Sequence, residues 1–199
     1  MIFFPLYGQL GLAGVATPGI AATFAPAVKS TGAILSNSNL TLTGSTVGYD
    51  TASTTVPKST GKWYFEFLVG APFLSLGITT SVDRLPTLVG DSSTNGWGYF
   101  TTGAYYHGST SGSPPSLAAS DVCMIAVDID AGKLWFGKNG TWNSGDPAAG
   151  TSPVFSGVTG TLYPAATATT NGGTSSCTFQ SLLADLAHTP PSGFTAWAE

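Results

Sequence analysis

Charge is what this sequence has least of. Asp, Glu, Lys and Arg make up 8% of its 199 residues, against about 25% in an ordinary globular chain. The six cations, Lys29, Lys58, Lys62, Arg84, Lys133 and Lys138, are scattered. No basic stripe is present to follow a phosphate backbone, and no polybasic run to meet an anionic bilayer. Nucleic acid and charged membrane surfaces are therefore not expected partners. Cysteine and histidine are equally scarce. Cys123 and Cys177 have no histidine beside them, so no zinc site is expected. The two thiols read either as a disulfide or as buried free thiols. The apolar and small residues around each favour strand interior, and so free thiols.

Paired carboxyls are missing too. Glu66 is the only glutamate before Glu199, whereas a glycosidase needs two carboxyls facing each other across a groove. Asp128 and Asp130 flank a turn, where aspartate usually bonds nearby backbone. His107 and His188 lie far apart, and no glycine-rich stretch ends in Lys-Ser or Lys-Thr. The expectation is a non-enzyme with no catalytic residue, metal ligand or cofactor.

What is present instead is apolar and small. Hydrophobic residues are 42% of the chain, aromatic residues 12%, and glycines number 26. That is a β-rich composition whose outer faces carry Ser and Thr, and so little charge suits a subunit covered by neighbours.

Residues 1–34 stand apart, with no charge from Met1 to Val28. A secretory signal would need a positive start. A membrane helix would need about 20 unbroken apolar residues, and Pro5, Gly8, Gly11, Gly14, Pro18 and Gly19 interrupt this stretch. The expectation is an extended arm anchored on another subunit by Phe3, Phe4, Leu6, Tyr7 and Leu10. The competing reading folds the arm back on its own domain. Residues 35–199 form the second unit.

There the pattern is strand, turn, strand. Trp63, Phe65, Phe67 and Val69 share one face of a strand; Tyr64, Glu66 and Leu68 share the other. Bulk on both faces predicts a central strand. Val122 to Ile129 is apolar on both faces, and turn chemistry at Asp130-Ala131-Gly132 leads into Leu134-Trp135-Phe136. Turn signals recur at short intervals and no long helical period occurs. Ser181 to Ala187 is the one stretch that reads as a short helix. Together these predict two packed antiparallel sheets.

The order of these pieces resembles the SPRY family. The residues that carry the likeness are Gly61-Lys62-Trp63-Tyr64-Phe65-Glu66, Leu76-Gly77-Ile78, Trp97-Gly98-Tyr99 and Asp121-Val122 with Asp128. Leu134-Trp135-Phe136-Gly137-Lys138-Asn139-Gly140 and Leu162-Tyr163-Pro164-Ala165 complete it. Ser120, Gly137 and Leu182 to Ala187 depart from the family pattern. The opening Leu35-Ser36-Asn37-Ser38-Asn39-Leu40-Thr41 and the close Thr189-Pro190-Pro191-Ser192-Gly193-Phe194 resemble SPRY-like domains of tailed-bacteriophage structural proteins. The resemblance implies a concanavalin-like β-sandwich that binds through loops at one edge without catalysis. It further implies a virion protein, in head decoration or in a tail or fibre. Its partners would be other virion subunits, in a homo- or hetero-assembly, and a host-surface protein or glycan. A free-standing lectin-like module is the alternative. The candidate recognition residues are Trp97, Tyr99, Tyr105, Tyr106, His107 and Trp142. Trp97 and Tyr99 also read as core, whereas Tyr105, Tyr106 and Trp142 are the better choices for exposure.

Overall fold

The computed structural model describes residues 20–44, 48–81, 88–90, 95–169 and 173–198. The arm anchors Phe3, Phe4, Leu6, Tyr7 and Leu10, and the cation Arg84, lie outside the described residues. In chain order the first strands are β1 (Phe24–Lys29), β2 (Ala33–Ser36), β3 (Thr41–Gly44), β4 (Tyr49–Thr54), β5 (Lys62–Ala71) and β6 (Leu74–Thr79). Then come β7 (Gly96–Phe100), β8 (Ala104–Tyr106), β9 (Thr110–Ser111), β10 (Val122–Asp128) and β11 (Lys133–Lys138). The last are β12 (Thr141–Trp142), β13 (Phe155–Ser156), β14 (Tyr163–Thr169), β15 (Ser176–Gln180) and β16 (Thr195–Ala196).

These strands make two sheets. The 7-stranded sheet runs β1-β4-β14-β6-β7-β8-β9. The 9-stranded sheet runs β12-β11-β10-β5-β15-β3-β2, with β13 added on β11 and β16 on β5. All pairings between described strands are antiparallel except that of β16 with β5. The fold is thus all-β, a sandwich of two antiparallel sheets. No helix among the described residues is long and apolar enough to cross a membrane.

Alternation along the strands builds the core. Phe65, Phe67 and Val69 of β5 point between the sheets and are fully buried. The rings of Phe65 and Phe67 form one cluster with Phe24, Phe179 and Trp197, with centroids of touching rings 5.3 to 6.3 Å apart. Each such side chain contributes about 1.5–3 kcal/mol by leaving water. The other face of β5 is buried as well. Tyr64 joins Met124, Ala126, Trp135 and Phe194 in a second apolar cluster beneath the C-terminal segment. That explains the bulk on both faces of a strand lying between β10 and β15.

Glu66 ties this cover down. Its carboxyl is fully buried and accepts hydrogen bonds from Tyr64 Oη at 2.5 Å, Ala187 N at 2.6 Å and His188 N at 3.0 Å, with His188 Nδ1 at 3.1 Å. The stretch Ser181 to Ala187 is not the expected helix but a series of turns. Two contacts explain this. Ser181 Oγ is drawn to Ala22, accepting from its N at 3.1 Å and donating to its O at 3.3 Å. Gln180 Nε2 closes on the Asp185 carbonyl at 2.6 Å. A stretch this short gains too little from helix propagation to resist such contacts. Ala198 N also bonds Ser181 O at 3.1 Å, so both ends of the described chain meet at Ser181.

The division at residue 34 needs adjustment, because the sandwich begins earlier. Phe24 is fully buried in the core, β1 pairs with β4, and β2 pairs with β3. Pro26 disfavours a helix over Phe24–Lys29, but a strand recovers the ordering entropy through ladder bonds and burial on existing sheets.

The two thiols are free and buried. Cys123 pairs with Phe67 from β10 and Cys177 with Val69 from β15, on opposite sides of β5. Two strand spacings, about 9–10 Å, exceed the reach of a disulfide. Burial pushes both thiols far above their ordinary range.

Candidate functional site

Parity along two strands decides which aromatics can meet a ligand. In β7, Trp97 and Tyr99 face the core; in β8, Tyr105 lies opposite Tyr99 and so faces the core too. Tyr105 is buried among Tyr99, Phe136 and Phe155, and its hydroxyl accepts from Asn143 Nδ2 at 3.0 Å. Burial outweighs that hydrogen bond and pushes its phenol up to about 12. The expected exposure of Tyr105 is therefore corrected: residues that pair across a ladder share a face. Tyr99 is fully buried, and its hydroxyl donates to the Pro115 carbonyl. Trp97 is buried and stacks on His107 at 4.7 Å with rings 8° from parallel. His107 Nδ1 sits 2.9 Å from the Gly96 carbonyl. Trp97, Tyr99 and Tyr105 are thus buried in the structure, and His107 is half-buried against Trp97.

Tyr106 has the opposite parity and faces outward. Its ring meets Phe100 edge-on at 5.9 Å. Together they form one end of a groove of about 490 Å³ across the outer, upper edge of the 7-stranded sheet. Tyr49 at the start of β4 and Phe73 at the entry to β6 continue it, with Leu88 and Thr169 in the wall. A volume of this size lies in the ordinary range for a binding pocket. Among the described residues that line it, none carries a formal charge.

Phe73 is the odd residue. It lies in the two-residue connection that carries the chain from one sheet to the other, and its φ is +68°. A bulky residue in this region is strained by about 1–3 kcal/mol. The backbone around it is pinned. Phe73 N and Leu74 N both donate to Thr101 Oγ1, at 2.9 and 3.0 Å, and the Phe73 carbonyl accepts from Thr169 N at 2.8 Å and Thr169 Oγ1 at 2.9 Å. The strain holds an apolar ring 37% exposed.

The groove's inner flank rests on a glycine floor. Ser75 Oγ donates to the Val89 carbonyl at 2.8 Å, and Val89 N donates to Thr167 Oγ1 at 3.0 Å. This lays residues 88–90 flat on the sheet. A Cβ on Gly98 would fall 2.2 Å from the Val89 oxygen, so only glycine allows the approach.

Trp142 lines a separate depression of about 360 Å³ with Pro115, Lys138, Asn139, Thr141 and Asn143. It is half-buried, its ring edge-on to Tyr64 at 6.1 Å. Beside it, Asp121 joins Lys138 Nζ at 2.8 Å, Asn139 Nδ2 at 2.6 Å and Ala118 N at 2.7 Å. Asn139 and Gly140, at φ 48° and 84°, make the tight turn that presents Trp142.

Of the six residues singled out in the sequence, Tyr106 and Trp142 line depressions, and these are different depressions. Tyr49, Phe73 and Phe100 were missed. Phe100 carried a signal, since it follows Tyr99 and must point the other way; Phe73 carried only its place between two strands. The acidic residues have structural partners. Asp128 pairs with Lys62 at 3.0 Å and accepts from Ala131 N at 2.9 Å, and Asp130 accepts from Gly61 N at 3.0 Å. Among the described residues no three His, Cys, Asp or Glu side chains group as metal ligands.

No family model matches the chain, and no curated protein sequence does. Solved structures do. The SPRY domain of human HERC1 is similar over 83% of this chain and 99% of its own, at 18% identity and a TM-score of 0.64. The TRIM65 PSpry domain is similar over 79% and 88%, at 14% identity and 0.59. Stonustoxin is similar over 79% of this chain and 26% of its own, at 15% identity and 0.57. The fold is that of a SPRY β-sandwich.

Proposed function

We propose that the chain is a non-enzymatic protein-binding module and that the groove of Tyr49, Phe73, Phe100 and Tyr106 is its binding surface. The observation that carries this reading is Phe73, a strained residue spent on holding an exposed ring. Strain of this kind persists where the surrounding structure fixes it and serves a site. Aromatic anchors on rigid strands supply contact area at small entropic cost. The SPRY-like fold supports the same reading, since domains of this kind commonly bind proteins. The test is selection from a library of random displayed peptides against the full chain. Enriched peptides should bind wild type saturably and the Tyr106→Ala variant about tenfold more weakly. A selection that enriches nothing, or peptides indifferent to Tyr106, overturns the reading.

Within it we place the module on a tailed-phage particle, in head decoration or in a tail or fibre, attached by the uncharged N-terminal segment. The support is the sequence resemblance of its opening and close, and a surface with little charge. Immunogold labelling of purified virions tests this; label confined to the soluble fraction of a lysate overturns it. The free-standing lectin reading rests on Trp142 and its amide-lined depression. Saccharide-array binding lost in Trp142→Ala would favour it.

A further inference from the structure

Residues 182–193 cross the outer face of the 9-stranded sheet without forming a strand. Their two ends are fixed. Ser181 is buried and bonds Ala22 and Ala198. At the far end Thr195 and Ala196 pair with β5, and Trp197 is fully buried. Between these ends most side chains are exposed, and Leu186 is the residue of the stretch that packs on the second apolar cluster. Gly193, at φ +83°, adjoins the far end and supplies a hinge.

The middle of the stretch is held at one point. Ala187 N and His188 N donate to Glu66 at 2.6 and 3.0 Å, and His188 Nδ1 lies 3.1 Å from Oε1 of the same carboxyl. Gln180 Nε2 adds a bond to the Asp185 carbonyl near the start. A carboxylate only accepts, so this one group gathers three donors of the stretch and the Tyr64 hydroxyl. Beneath lie Tyr64 and Met124, both buried, with Met124 directly opposite Glu66 on β10. Met124 Sδ accepts from Gly140 N at 3.0 Å, and the His188 ring lies against Gly140, where a Cβ would fall 3.1 Å from Cδ2.

We propose that residues 182–193 are a strap that opens as a unit while both sheets stay folded, with Glu66 as its latch. A segment with few buried apolar contacts and an exposed backbone opens at a smaller free energy than the whole domain. Opening uncovers Tyr64, Glu66 and Met124 beside Trp142, whose ring already meets Tyr64. The depression at Trp142 then extends to a phenol and a carboxyl that the closed strap conceals. The strap lies on the other sheet from the Tyr49 groove, so neither reading depends on the other.

β10 carries a reporter for each kind of opening. Met124 faces the strap, and its neighbour Cys123 faces the core. Met1 and Met124 are the two methionines, and peptide mapping separates them. On the full chain, Met124 oxidation by hydrogen peroxide and Cys123 alkylation by iodoacetamide are followed in separate reactions, at urea concentrations below the unfolding transition. Met124 oxidation should be nearly flat in urea, because a small opening exposes little surface. Cys123 alkylation should rise steeply, because it needs global unfolding. Glu66→Gln keeps the shape but turns one acceptor into a donor facing N–H groups. It should speed Met124 oxidation about tenfold without steepening its urea dependence. His188→Ala leaves the two backbone bonds to Glu66 and should give a smaller rise. Met124 oxidation that climbs with urea as steeply as Cys123 alkylation would overturn the proposal. So would a folded Glu66→Gln that oxidises no faster than wild type. If that variant does not fold, a His188→Ala that oxidises no faster overturns it instead.

Discussion

At the scale of single residues, Phe73 and Phe65 present two different kinds of phenylalanine. Phe73 holds a strained backbone and contributes only part of its ring to packing. Phe73→Gly relieves the left-handed strain while losing that partial burial, and the two effects are of similar size. Urea denaturation should place this variant within about 1 kcal/mol of wild type, with peptide capture by the groove sharply reduced. Asp121 gives a residue-scale prediction for pH. Burial pushes its carboxyl up, but hydrogen bonds from Lys138, the Ala118 N–H and Asn139 outweigh it, and the group is held below its ordinary value of 3.8. A carboxyl depressed in the folded state stabilises above its unfolded value, and that contribution drains away as pH falls through the folded value. Asp121→Asn should therefore be less stable than wild type at about pH 6, and the gap should narrow progressively as pH falls below the ordinary value of 3.8. A gap that persists in acid would mean the asparagine fails for reasons of packing.

At the scale of elements, the sandwich reaches back past residue 34 to β1, and truncation tests this. Removing residues 1–19 takes away none of the described strands, whereas removing residues 1–30 deletes β1 and the fully buried Phe24. Losing a buried phenylalanine alone costs about 3–5 kcal/mol, a large share of a typical stability of about 5–15 kcal/mol. The shorter deletion should keep a cooperative melt and the longer one should lose it, as circular dichroism would read. Elements whose apolar residues alternate were legible in the sequence. β5 was recognised as central from bulk on both faces, and β10 and β11 from Val122 to Phe136 with a turn between. β1 was not legible, because Phe24 is its one large apolar residue and Pro26 interrupts the run. Its place depends on partners distant in sequence, Phe67 and Phe179. The groove was half legible for a related reason. Strand parity separates Phe100 and Tyr106 from Tyr99 and Tyr105, but nothing local sets Tyr49 beside Phe73; that row exists only because β14 lies between β4 and β6.

At the scale of the whole molecule, one core joins the sheets, and Phe65 lies at its middle against Phe67, Phe179 and Trp197. Phe65→Ala should cost about 3–5 kcal/mol by chemical denaturation. The buried thiols offer a second readout of the same event. Cys123 and Cys177 should resist a thiol reagent in the native protein and react on global unfolding, so their labelling should accelerate in Phe65→Ala. Rapid labelling of native wild type would show that the sheets open without unfolding. The joint at Ser181 has a further consequence. Ala22 and Ala198 both reach that residue, so the chain enters and leaves the sandwich at a single corner. A domain built this way can be spliced as a guest into a surface loop of a host protein, which need only bridge one short gap. Pulled by its two ends, it would yield one hydrogen bond at a time at that corner, while the long ladders of β5 with β10 and of β14 with β4 and β6 carried no load.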